Sequence, residues 1–576
     1  MQKTCAQCPA SFEITAEDLA FYEKVSPVFG GKKLLIPPPT LCPDCRQQRR
    51  LSWRNERNLC RRTCDLCKKE VVSIYRPPTP FPVYCNECWW GDTWDALHSG
   101  KNFDFSRPFF EQFKKLQNEV PRNALYKKNA INSDYCNHSL DLKNCYLGVC
   151  VGGGSENVYY SKWIIKSRDI CDSYQLVDSE LCFGSLYSNA CYNCIVSIRS
   201  EDCRDCAFLY NCQGCSDCFC CWNLRHKQYC YRNKQLTKKE YQQLRAVRNL
   251  GSAKQFQAEH TEFLDCIITQ AIRQAIFMRA CEESTGDFLV RCNNVHNSFD
   301  VENAQDCRYC YGSEGLRDCY DINEAAFGCT LQCDCQSCDA GNSTLFSHTS
   351  YYNSDMLCSD SCHSCTSIFG CIGMRNAHCC ILNRQYTKKD YESLIPKIVE
   401  HMRKTPYQSP ANAGSGTGQA GEWGEFFPVS MSPFVYNETV ASEYFPLPKK
   451  EVLSRGWKWQ DQTDEIPEVS KIIPAEKLPD SIDDIPDDIL HWAIKCETTR
   501  RPFRIIKQEL DLYRTMRLPI PHLHPDERHR RRMALRNPRK LWQRKCTKCG
   551  KEIRTTYSLE RPETVYCEEC YLKEVY

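Results

Sequence analysis

Residues 155–226 read SENVYYSKWIIK, SRDICDSYQLVD, SELCFGSLYSNA, CYNCIVSIRSED, CRDCAFLYNCQG and CSDCFCCWNLRH, six consecutive blocks of twelve. The first column is Ser155, Ser167, Ser179, Cys191, Cys203 and Cys215; the fourth is Val158, Ile170, Cys182, Cys194, Cys206 and Cys218. Columns that keep their chemistry at a short fixed period mean that successive blocks stack, each burying its inward side chains on its neighbours, so this stretch predicts a β-solenoid. The coil is twelve residues or a pair of twelves. Cysteine suits a narrow interior because it is small and apolar. The CxxC pairs at 191, 203 and 215 therefore predict a thiol ladder, crowded further by Cys212, Cys220 and Cys221. The competing reading, a metal or redox array, requires a second pair converging from another turn.

The region is duplicated at an offset of 150. CWNLRHKQYCYRNKQLTKKEY from Cys221 matches CIGMRNAHCCILNRQYTKKDY from Cys371. Both copies end in a helix start, Thr237-x-x-Glu240 and Thr387-x-x-Asp390, and the helices that follow are expected to cap the coils. In the second copy the twelve-residue register is eroded.

A different pattern repeats at the two ends. Cys64-x-x-Cys67 and Cys85-x-x-Cys88 recur 482 positions later as Cys546-x-x-Cys549 and Cys567-x-x-Cys570, with 17 residues between the pairs in each copy. Two CxxC knuckles on neighbouring hairpins complete a tetrahedral thiolate site of the structural zinc type. A further pair, Cys5-x-x-Cys8 and Cys42-x-x-Cys45, makes a third set. Its C-terminal counterparts are Cys496, Thr499, His524 and Glu527, a set short of thiolates and expected to be empty. Three structural Zn2+ ions are expected.

The 45 cysteines are odd in number, and neither a signal peptide nor an apolar run of membrane-spanning length is evident. These features predict a reduced, cytoplasmic chain with no membrane partner. Net charge is only +3, so any electrostatic message is local. Arg46 to Lys69 carries nine basic and two acidic residues, and Arg500 to Lys545 carries 15 and four. Arg46, Arg49, Arg50 and Arg54 recur as Arg528, Arg531, Arg532 and Arg536. With Trp53 and Trp542 as stacking partners, they predict phosphate and base contacts. Two or three arginines are expected to brace carboxylates instead. Residues 460–490, with ten acidic and two basic residues, could neutralise the C-terminal basic stretch.

Together these features predict a mainly β, multidomain protein: terminal zinc ribbons flanking a duplicated cysteine-rich β-solenoid with capping helices. The expected divisions are 1–125 (double ribbon), 126–250 and 251–404 (solenoid halves), 405–422 (linker), 423–490 (extended aromatic, proline-rich and acidic segment) and 491–576 (C-terminal ribbon). CAQCPASFEITAEDLAFYEK with PPPTLCPDCRQQRR resembles the "probable zinc-ribbon" domain. The whole arrangement, including KNCYLG, SPFVYNETVASEYFPL and RPETVYCEECY, resembles large cysteine-rich bacterial zinc-ribbon proteins. That resemblance implies metal but no activity. The expected function is a structural-zinc scaffold that binds RNA or a ribonucleoprotein. The alternatives are a scaffold for protein partners on the solenoid faces and, third, a thiol redox enzyme, for which no poised nucleophile is evident.

Overall fold

The computed structural model describes residues 1–323, 327–405, 421–461 and 468–576, apart from the side chains at 327 and 337–339. Most of the expected linker, residues 406–420, and residues 462–467 of the acidic stretch lie outside the described residues. The chain forms two compact units, each discontinuous in sequence. One joins Met1–Leu125 to Phe277–Asp461, and the other joins Tyr126–Ile276 to Gln462–Tyr576. Each unit therefore combines one terminal cysteine module with one parallel sheet, so the modules are not the free-standing domains that linear order suggests.

The sheet of the second unit follows from a three-residue rhythm. From Asn157 onward every third residue takes a left-handed backbone conformation: Asn157 (φ 56°), Tyr160 (52°), Trp163 (60°), Lys166 (49°), Asp169 (56°). Two extended residues and one left-handed residue turn the chain, and one side chain in each triplet points inward. Ser155, Val158, Ser161 and Ile164 occupy those positions in one block and are fully buried. After twelve residues the chain has returned to its own edge. Glu156 then pairs with Arg168 and Val158 with Ile170, in parallel. Cys182 with Cys194 and Cys194 with Cys206 continue the register. Asn and Asp are favoured where φ is positive because their short polar side chains bond locally. Stacked copies also bond one another, as in Asn157 Nδ2 to Asp169 Oδ1 (2.8 Å) and Asn193 Nδ2 to Asp205 Oδ1 (2.7 Å).

The inward serines have a second task. Ser155 Oγ accepts from Ser167 N at 3.2 Å, Ser167 Oγ from Ser179 N at 3.1 Å, and Ser179 Oγ from Cys191 N at 3.2 Å. Each hydroxyl satisfies a corner amide of the next layer that would otherwise be buried without a partner. Cysteine can replace serine because its sulfur does the same more weakly: Cys218 N donates to Cys206 Sγ at 3.4 Å. The internal CxxC spacing is thus the inward period of three.

The first unit repeats this plan. Gly286 pairs with Ser298 and Leu289 with Val301, again twelve apart. One extra residue then enters a layer, so Glu314 pairs with Phe327 and Cys319 with Gln332. Thr330 with Asn342 and Ser354 with Thr366 restore the twelve. The eroded register is one residue short in the first layer, where Met278 pairs with Leu289, and one residue long in the later layer that pairs Glu314 with Phe327, and the parallel stack persists through both. Both stacks end in an antiparallel pair, Tyr231 with Lys234 and Ile381 with Arg384, followed by the helices Lys238–Ala246 and Lys388–Lys404. Thr237 and Glu240 form a full capping box, whereas Thr387 makes the N-cap bond from Asp390 N.

The cysteine modules match element by element. Helices Ala16–Val25 and Lys507–Met516 are equivalent, as are Pro43–Leu51 and Pro525–Ala534. Hairpin strands Cys60–Thr63 and Glu70–Ser73 correspond to Trp542–Lys545 and Glu552–Thr555. The 423–461 segment is not simply extended. It contains the short helices Val440–Tyr444 and Lys449–Ser454, and it buries Trp423, Phe426, Phe427 and Tyr436 in the first unit. No helix of the described residues is long and apolar enough to cross a membrane.

Candidate metal centres and the arginine clamps

Three groups of four thiols are assembled among the described residues: Cys5, Cys8, Cys42 and Cys45; Cys64, Cys67, Cys85 and Cys88; and Cys546, Cys549, Cys567 and Cys570. Within each group all sulfurs lie within 4.8 Å of one another. Cys8 Sγ is 3.7 Å from Cys42 Sγ, and Cys67 to Cys85 and Cys549 to Cys567 are both 3.8 Å. A tetrahedron with metal–sulfur bonds of about 2.3 Å has edges of about 3.8 Å, so the thiols stand where a tetrahedral ion requires them. At these separations none of these pairs is joined as a disulfide.

Local backbone explains the placement. After Cys64 the chain reverses through Lys68 (φ 63°), and after Cys546 through Gly550 (φ 75°). Cys85 N donates to Cys64 Sγ at 3.2 Å and Cys567 N to Cys546 Sγ at 3.3 Å. Burial pushes the Cys64 thiol up, but the N–H groups of Cys85, Cys67 and Leu66 outweigh it and bring it down to about 7. The same opposition, with N–H groups of Cys549, Cys567 and Lys548, brings Cys546 to about 6. Preformed N–H···S bonds of this kind hold the thiolates a metal needs.

The fourth position keeps the knuckle and lacks the ligand set. Cys496 N donates to Arg501 O and His524 N to Cys496 Sγ, as Cys5 N does to Ala10 O and Cys42 N to Cys5 Sγ. His524 Nδ1 is instead spent on Asp526 N at 3.1 Å, capping the helix Pro525–Ala534. Glu527 is bound by Arg530 and Arg531 at 2.8 and 2.9 Å, and these hold its carboxyl down at about 2. Cys496, His524 and Glu527 are not among the groups whose ligand atoms converge. Among the described residues the stacked cysteines make no comparable ligand group; Cys182, Cys194 and Cys206 follow one another in register as a column.

The arginines predicted to meet nucleic acid lie mostly inside. On the helix Pro43–Leu51, Arg46 and Arg50 share a face at i and i+4. Arg46 Nε donates to Asp321 Oδ2 at 2.7 Å; Arg50 reaches Asp321 Oδ1 at 3.2 Å, Asn323 Oδ1 at 2.6 Å and Asp334 Oδ1. Arg49 bridges Asp334 (3.1 Å) and Glu425 (2.6 Å), and Arg54 donates to Glu56 at 2.6 Å. Arg50 is 0% exposed, and so is Trp53, which packs against His348 and Phe427.

The second unit makes the same clamp with the equivalent residues. Arg528 Nη1 donates to Asp172 Oδ2 at 2.5 Å and to Tyr513 OH at 3.0 Å. Arg532 takes Asp172 Oδ1 and Tyr160 O (2.8 Å). Asp172, Asp321 and Asp334 all occupy left-handed corners of the parallel stacks (φ 52°, 64° and 55°). Burial alone would push the Asp172 carboxyl up, but Arg528 and Arg532 hold it below the usual carboxylate range. Arg531 is paired with Glu527, the Arg536 guanidinium lies 5.3 Å from the Tyr174 ring, and Trp542 is half-buried on its strand. More arginines brace carboxylates than the two or three expected. The acidic stretch also meets the basic one: Arg500 with Glu476 (2.6 Å), Arg514 with Asp487 (2.7 Å) and Arg517 with Asp483 (3.2 Å).

Sequence reasoning missed a further buried centre in the first unit. Arg122 Nη1 donates to Asp360 Oδ2 at 2.5 Å, and His348 Nδ1 lies 2.8 Å from Asp360 Oδ1. His348 and Asp360 stand one twelve-residue layer apart, whereas Arg122 comes from a segment more than 200 residues away and shares no local pattern with them. No protein-family model matches the chain, and no curated protein shows significant similarity to it.

Proposed function

We propose that the protein is a structural-zinc scaffold whose two β-solenoids dock protein partners on their outer faces. Three zinc ions would occupy the four-cysteine groups, each fixing a ribbon hairpin. The observation that carries this reading is the repeated burial of arginines against corner aspartates of the parallel stacks. It gives Arg46, Arg49, Arg50, Arg528 and Arg532 an internal task, clamping each cysteine module to its stack, and withdraws them from phosphate. The ion pairs between the acidic and basic stretches support the same conclusion. The repeated inward positions support closed solenoid coils.

The test is crosslinking in the native host with identification of what is recovered, together with RNA titration of the purified full chain. A scaffold of this kind recovers protein partners and binds short single-stranded RNA negligibly. RNA binding whose log K falls with log salt at about 0.7 per phosphate, and which weakens in Arg531→Ala, would favour the nucleic-acid reading instead.

A further inference from the structure

The two stacks correspond at the 150-residue offset, and along one column of corners the first unit departs from the second. In the second unit Leu181, Asn193, Asp205, Asp217 and Tyr229 are left-handed in turn (φ 52°, 50°, 52°, 47° and 57°). Asn193 Nδ2 donates to Asp205 Oδ1 at 2.7 Å, and the Tyr229 ring lies 5.8 Å from that of Tyr241 on the helix Lys238–Ala246. The first unit keeps this backbone with Leu331, Ser343, Asp355, Ser367 and Cys379 (φ 49°, 52°, 49°, 54° and 51°). Three of its side chains are smaller: Ser343 stands for Asn193, Ser367 for Asp217 and Cys379 for Tyr229. The carboxylate is kept, whereas the amide that bonds it and the ring beside it are not.

A cleft of about 540 Å³ is lined by this column, by the stretch from Lys24 to Phe29 and by the first turn of the helix Lys388–Lys404. Pro27, Phe29 and Leu331 are half-buried and give it apolar surface; the Phe29 ring lies 5.9 Å from that of Tyr391. Asp355 is exposed on the lining, and its carboxylate has no hydrogen bond or ion pair among the described residues. Partial burial alone raises it above the usual carboxylate range. Two lysines also line the cleft, but both already have carboxylate partners, Lys24 in Asp318 (2.7 Å) and Lys388 in Glu392 (3.9 Å). One unneutralised negative charge therefore remains in a partly apolar, accessible space.

We infer that this cleft binds a small organic cation, an ammonium group carried on an aromatic body. An ionised carboxylate only accepts, so Asp355 selects a ligand that donates, and a charged donor makes the stronger bond. The hydroxyls of Ser343 and Ser367, half-buried on either side of Asp355 in the column, accept further N–H groups. Phe29 and Pro27 cover the aromatic body, and the Phe29 face itself attracts a cation. The volume lies within the range of about 300–1,000 Å³ usual for small-molecule sites. The site is distinct from the four-cysteine groups and does not depend on the scaffold reading.

The probe is tryptamine, titrated calorimetrically into the zinc-loaded full chain at constant ionic strength, with tryptophol and indole-3-acetate as its neutral and anionic analogues. The expected result is saturable binding of one tryptamine, about tenfold or more tighter than tryptophol, and no saturable binding of indole-3-acetate. Asp355→Asn should weaken tryptamine about tenfold or more with melting temperature and zinc content unchanged, because asparagine suits a left-handed corner and no internal bond is lost. Asp205→Asn, at the matching corner of the second unit, should leave binding as it is. Cys379→Tyr, which supplies the ring found at Tyr229, should fill the cleft and abolish binding. Absent saturable tryptamine binding, binding unaffected by Asp355→Asn, or either analogue binding as tightly as tryptamine would each overturn the assignment.

Discussion

Replacing Asp172 with alanine removes the one carboxylate shared by Arg528 and Arg532 and leaves both guanidinium groups buried. The side chains involved are 4%, 7% and 9% exposed, so water cannot substitute for the lost partner. An exposed pair would contribute about 0–1 kcal/mol. Breaking a buried one typically costs about 3–5 kcal/mol, because a desolvated charge remains uncompensated. Arg528 retains Glu509 at 3.3 Å and Tyr513, and Arg532 retains the Tyr160 carbonyl, which places the expected loss toward the lower end, about 3 kcal/mol. The assay is urea unfolding of the zinc-loaded chain, with limited proteolysis reporting release of the C-terminal module. The pH dependence has a definite sign. Asp172 is depressed in the folded state, so its contribution is complete above the unfolded aspartate value of about 3.9 and is lost as pH falls through the lower folded value. The acid limb of the wild-type curve should therefore shrink in Asp172→Ala. A loss below about 1 kcal/mol, with the module still protected, would refute the clamp.

Glu527→Gln removes a carboxylate bound by arginines that are 70% and 49% exposed. It should cost less than about 1 kcal/mol and leave zinc content unchanged by mass spectrometry. Ser179→Ala deprives Cys191 N of its acceptor inside the stack and should cost about 1–3 kcal/mol in urea unfolding, whereas Ser179→Cys should cost less. Glu422 is buried and accepts from Phe109 N and Phe110 N at 2.8 Å, yet burial raises its carboxyl to about 7. The folded state thus holds this proton more tightly than the unfolded one, so stability should fall as pH rises from about 4 to about 7. Glu422→Gln should flatten that slope in pH-dependent melting.

The four-cysteine groups were legible in the sequence because a CxxC knuckle is local chemistry; repetition at 482 residues marked two of the three, and paired CxxC spacing alone marked Cys5, Cys8, Cys42 and Cys45. The twelve-residue stack was legible for the same reason: each layer repeats its inward residue at fixed spacing. The repetition of Arg46 and Arg50 as Arg528 and Arg532 was equally visible but ambiguous. A repeated arginine marks a repeated environment, and nothing local distinguishes an outer phosphate from a corner aspartate such as Asp321, 275 residues from Arg46. The division into units was hidden for the same physical reason, because the pairing of each cysteine module with a distant stack is written in long-range contacts. The three-residue period inside the twelve is what separates the stack CxxC pairs from the ribbon CxxC pairs. It places stack sulfurs in parallel columns, where a knuckle turns two of them toward a common centre.

Native mass spectrometry of the gently purified, reduced full chain, with elemental identification of the metal, tests the central claim most directly. Three zinc ions per chain are expected, falling to two in Cys546→Ser with the other two sites retained, and unchanged in Cys496→Ser. A metal-free folded chain, or disulfides joining Cys64, Cys67, Cys85 or Cys88, would contradict it.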